Sequence, residues 1–127
     1  MINNKGQTLV TFIVFLPILL IIMATVVDIG LLYYEKNKLD NLNMMATEYG
    51  IDHLDDADIN EKINNLINKN DKEVIIKKFD INEENIEIIL TKSTKSTFGK
   101  IIGIQEYKLT SKYIGTNIEN KKEIKKG

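Results

Sequence analysis

Residues 6–27 read GQTLVTFIVFLPILLIIMATVV, and no charged side chain stands between Lys5 and Asp28. A run of this length meets the roughly 18–20 residues a helix needs to cross the ~30 Å hydrocarbon core of a bilayer. The stretch reads as a membrane span over about residues 8–27, anchoring the chain near its N-terminus. Helical spacing continues after the charges begin, in VDIGLLYYEKNKLDNLNMMATEYG over residues 27–50. Leu32, Leu39 and Ala46 recur every seven residues, and Glu35, Leu42 and Tyr49 form a weaker second row. The spacing predicts one long helix over 7–50, half in lipid and half outside. Leu32, Leu39, Leu42, Ala46 and Tyr49 are its packing positions, against the chain's own C-terminal domain or against other long helices.

The composition narrows the function. The chain has 127 residues, no Cys, no Trp, one His and a formal net charge of -1. Without Cys, neither a disulfide framework nor a Cys-based zinc site is available. Arg is absent and the charge is near zero, so nucleic acid is not an expected partner. There is no Gly-rich phosphate loop, no paired His, and no Ser partner for His53 at a recognisable spacing. The chain is read as a non-enzyme that needs no cofactor.

A secretory signal is the competing reading of the N-terminus. The apolar run exceeds the usual 7–15 residues, and Met23-Ala24-Thr25-Val26 is a poor cleavage site, so a retained anchor is preferred. Lys5 on one side and Lys36 and Lys38 on the other leave the positive-inside count near a tie. The short N-terminal side makes N-in, C-out the simpler topology.

Read forward, the order is Lys5-Gly6-Gln7, Leu16-Pro17 inside the span, then Val27-Asp28-Ile29-Gly30 through Tyr33-Tyr34. This order resembles the N-terminus of the TadE/TadG-like proteins of the tight-adherence pilus system, over about residues 5–50. The resemblance implies a bacterial cell-membrane protein whose C-terminal domain lies outside. It also implies cleavage by a prepilin peptidase between Gly6 and Gln7, where Gly offers an unhindered backbone. The family position that is usually Glu is Thr11 here. A hydroxyl cannot form the ion pair that Glu makes with a neighbouring subunit's terminal amine, which points to a minor or accessory member. Pro17 reads either as a tolerated kink or as a packing residue, and Asp28 as a boundary marker or an ion-pair partner. Tyr33 and Tyr34 fit interfacial anchors or a partner-facing stripe.

Beyond the helix, Gly50 is a plausible helix stop, and Asp58-Ile59-Asn60-Glu61 has the form of a capping box. A second helix to about Asn68 should lay Ile59, Ile63, Leu66 and Ile67 on the sheet. Asp52, Asp55, Asp56 and Asp58 form a solvated, cap-rich turn in preference to a calcium loop, because EF-hand spacing is missing. Strands are expected over 73–80 and 85–91, followed by a polar connection. Further strand residues follow from Ile101, Ile102 and Ile104 into Tyr107, Leu109 and Tyr113. The sheet's outer face is expected to carry Lys92, Lys95, Lys100, Lys108 and Lys112 against Glu106, and residues 117–127 to remain a flexible basic tail.

The expected fold class is α+β: a long N-terminal helix, a short second helix and a small antiparallel sheet, pilin-like in order. Residues 1–6 are a cytoplasmic leader and 51–116 an extracytoplasmic domain. The expected function is that of a pilin-like subunit of a tight-adherence type pilus or secretion assembly. Its partners would be the membrane, other pilin-like subunits, the pilus machinery and a prepilin peptidase. The alternative is an uncleaved single-pass adaptor or sensor with a small binding domain.

Overall fold

A computed structural model describes residues 4–96, 98, 99 and 103–127. The expected strand lead at Ile101 and Ile102, and the placement of Lys100, lie outside the described residues. The element order is α1 (Asn4–Asp52), α2 (Ile59–Asn70), β1 (Ile75–Ile81), β2 (Asn85–Lys95), β3 (Glu106–Ile118) and β4 (Lys121–Lys126). The fold is α+β, with one antiparallel sheet in the order β1-β2-β3-β4.

At ~1.5 Å per residue, the 49 residues of α1 make a rod of about 70 Å. Its two halves differ in what they touch. From Asn4 to Val27 every side chain is exposed except the half-buried Ala24, and the helix runs unbroken through Pro17. From Asp28 onward one face turns inward: Leu39, Leu42, Asn43, Ala46, Thr47, Gly50 and Ile51 are buried at the three- and four-residue spacing of a helix face. Gly50 does not end the helix. A Cβ there would lie 2.3 Å from Ile86 Cδ1 and 3.2 Å from Ile63 Cδ1, so its missing side chain lets α1 sit against β2 and α2 together.

The second helix buries Ile59, Ile63 and Ile67, with Leu66 at the margin, and packs chiefly on α1 while its isoleucines join the sheet's core. The expected capping box does not form, since the Asp58 side chain makes no cap hydrogen bond. Asp56 takes over instead: its carboxylate accepts from the Asp58 backbone N–H at 3.1 Å and pairs with Lys62.

In the sheet Ile86, Ile88 and Leu90 of β2 face α1, opposite Gly115, Tyr113 and Ser111 of β3. A bulge at Lys77 turns Ile76 and Phe79 of β1 to that same face, although their spacing breaks strict alternation. β2 continues through the expected polar connection to Lys95, because β3 supplies a partner for each residue up to Glu106. The flexible tail is also corrected. Glu119 and Asn120, with φ of 51° and 67°, close a two-residue turn, and Lys121–Lys126 pairs with β3. Ile124 then lies opposite Gly115 and packs on the core.

Candidate membrane and assembly interface

Among the described residues, α1 is the helix long and apolar enough to cross a membrane, and its apolar half is unburied by the rest of the fold. Gly6 and Gln7 lie exposed in its first turns. Thr11 is exposed on the same half. Tyr33 and Tyr34 are exposed as well and take no part in the buried face.

The packing positions separate into two groups. Leu39, Leu42 and Ala46 are buried in the chain's own core, with Leu32 and Tyr49 half-buried. The outward side between them carries Met44 and Met45, both substantially exposed. The chain's own fold thereby leaves the apolar half of α1 and this outward side uncovered among the described residues.

Two charged groups tie α1 to the sheet. Lys92, on the inner rather than the outer face, meets Glu35 of α1 at 2.9 Å and Asp71 beyond α2 at 2.6 Å. Burial works against the charge on Lys92, but the hydrogen bonds it donates to Asp71 and Glu35 outweigh it and hold its pKa above the ordinary lysine value. Asp71 shows the converse. Burial raises it, yet the Lys92 hydrogen bond leaves its pKa below the usual carboxylate range. In the second group Asp40 accepts from Lys126 at 2.8 Å and Lys36 at 3.0 Å. Burial pushes the Asp40 carboxyl up, while hydrogen bonds from Lys126, Ser111 and Lys36 bring it below its ordinary value.

The acidic turn does not gather into a site. Asp52 pairs with Lys122 of β4 and Asp56 with Lys62 of α2, and among the described residues no group of three His, Asp or Glu converges to hold a metal. His53 stacks on Tyr49 at 4.2 Å between ring centroids, and its Nδ1 donates to the Tyr49 carbonyl at 2.8 Å. The outer sheet face is less basic than expected. Besides the inward turn of Lys92, Glu87 stands between Lys78 and Lys112 at 3.4 Å from each.

Asp28 has a role that sequence reasoning left open. It is buried where the apolar half of α1 ends, and its carboxylate oxygens accept from the Phe98 backbone N–H at 3.1 and 3.2 Å. The β2–β3 connection is thereby fastened to the helix.

Together these features define an α+β protein whose small sheet domain is built on the distal half of a helix of membrane-spanning length. Residues 6–42 match the family model described as putative Flp pilus-assembly TadE/G-like, so the resemblance read from Lys5-Gly6-Gln7 onward holds over that stretch. No curated protein and no solved structure matches the chain.

Proposed function

We propose that the protein is a membrane-anchored, pilin-like subunit of a tight-adherence type pilus or secretion assembly, oriented with its N-terminus in the cytoplasm and its sheet domain outside. The observation that carries the reading is the coincidence of the matched segment with the bare helix. Residues 6–42 run from the candidate cleavage site through the whole apolar half of α1, whose described side chains are exposed except for the half-buried Ala24. Such a helix packs in lipid or beside other helices through shape and small-residue contacts. The sheet domain already occupies the buried face of the distal half, so assembly contacts fall on the span and on the side bearing Met44 and Met45. The work of the molecule is binding.

Processing is proposed between Gly6 and Gln7 by a prepilin peptidase. The test is intact mass and N-terminal peptide mapping of the full chain, expressed in membranes with and without that peptidase. A peptidase-dependent start at Gln7 is the expected result. An N-terminus unchanged by the peptidase favours the second reading, an uncleaved single-pass adaptor, for which Thr11 in place of the family's usual Glu is the specific support.

A further inference from the structure

The β2–β3 hairpin runs back along α1 toward the apolar half. Lys92 meets Glu35, and two turns nearer the N-terminus Phe98 meets Asp28. At the hairpin's end a cleft of about 50 Å³ is lined by Ile21, Ala24 and Thr25 of α1 together with Phe98, Gly99 and Tyr107. Ile21, Ala24 and Thr25 belong to the uncharged run, so this end of the sheet stands level with the run's last turns rather than above them. The helix from Ile21 to Asp28 rises about 10 Å, enough to span the roughly 5–8 Å headgroup layer on one side of a bilayer and reach the edge of its hydrocarbon core.

At that depth Phe98 and Ile104 present apolar side chains, each on backbone that is itself hydrogen-bonded. Phe98 is 39% exposed and Ile104 37%. The Ser96 hydroxyl donates to the Ile104 carbonyl at 2.8 Å, the Ile104 N–H to the Gly99 carbonyl at 2.9 Å, and the Ser96 N–H to the Gln105 carbonyl at 3.1 Å. Lys95 and Lys108 are exposed on the strands just behind. A ring and a branched aliphatic side chain held beside a span, with lysines set back from them, match the chemistry of the lipid–water interface.

We propose that Phe98 and Ile104 seat the sheet domain on the bilayer that α1 crosses, entering its interfacial layer, so that lipid covers this patch. The inference rests on reading residues 6–27 as a membrane span. The domain is then attached at two points, the helix and the hairpin tip, and the rotation of α1 about its axis is set by which side the tip occupies. Asp28, bound to the Phe98 amide, holds the two points together.

The chain has no Trp, so one introduced indole reports its own surroundings. Full-length F98W, I104W, F15W and I118W are each reconstituted into phosphatidylcholine vesicles with and without brominated acyl chains. Phe15 lies in the span, and Ile118 at the opposite end of β3. Bromolipid should quench F15W strongly and lower F98W and I104W emission about twofold, with a blue shift, while I118W stays unchanged. Strong quenching of F15W with F98W and I104W behaving like I118W overturns the seating proposal alone. Absence of quenching at F15W overturns the span reading, and the seating with it. Two independent tip positions guard against a local disturbance by either indole.

Discussion

Asn43 Nδ2 lies 3.0 Å from the Ser111 carbonyl oxygen, joining α1 to β3 through a side chain with no exposure to solvent. The same amide reaches the Ile88 carbonyl at 3.1 Å and the Ser111 hydroxyl at 3.2 Å, so one helix residue bridges two neighbouring strands. N43A removes these bonds and leaves a void, and should lower stability by about 2–3 kcal/mol in urea unfolding of the full chain in micelles. N43D aims a carboxylate at two carbonyl oxygens, which raises its folded pKa. Protonation restores a donor, so N43D should regain stability as pH falls from about 7 to about 5, whereas N43A should not.

Gly115 is the close-approach point of α1 on the sheet. A Cβ there would fall 2.0 Å from Ile51 Cδ1, 2.6 Å from Ile51 Cγ1 and 2.9 Å from Thr47 Cγ2. G115V should therefore destabilise by about 1–3 kcal/mol through overpacking. The shortest contacts are to Ile51, so I51A in the same chain should cost less in the G115V background than alone. A double-mutant cycle of urea midpoints checks this, and simple additivity would remove the assigned contact.

Lys92 stands between two carboxylates with its side chain 9% exposed. Its raised pKa contributes stability that is present below the ordinary lysine value of about 10.4 and lost as pH rises through the higher folded value. Asp71, lowered, contributes stability that is present above about 3.9 and lost as pH falls through its depressed folded value. K92M leaves Glu35 and Asp71 without their cation and should cost about 3 kcal/mol near neutral pH, the low end for a broken buried pair because both acids keep some solvent. Asp71 then loses the Lys92 hydrogen bond that held its pKa down, so the deficit should shrink on acidification. Thermal unfolding of both proteins across the acid range reads this directly.

The parts legible in the sequence are those where one local pattern decides the outcome. An uncharged run from Gly6 to Val27 leaves no alternative to an apolar helix, and Ile86, Ile88 and Leu90 alternate because one face of β2 is buried. The rest depends on partners distant in sequence. Lys92 reads as an outer-face lysine until Glu35 and Asp71 arrive beside it, and Asn43, which stands outside both seven-residue rows, gains its role only where Ile88 and Ser111 offer carbonyls. Its position four residues after Leu39 and three before Ala46 was the available signal, since a polar residue there must be satisfied or exposed. The acidic turn misled for a related reason. Asp58 has the capping-box position, but Asp56 meets Lys62 and holds the Asp58 amide.

The strand least legible in the sequence offers the last test. KKEIKK has a single apolar residue, and its pairing is supplied by the β3 edge, by Ile124 against the core, and by Lys126 and Lys122 reaching Asp40 and Asp52 of α1. The turn before it works against this, because Glu119 occupies a positive-φ position that disfavours a side chain of its kind. The E119N/N120G double variant places Asn-Gly in a two-residue turn that prefers it, and should stabilise the hairpin by about 0.5–1 kcal/mol. Hydrogen exchange should slow at the amides of β4 and leave those of α2 unchanged. Faster exchange in β4 would mean that Glu119 contributes something to the native turn beyond its backbone angle.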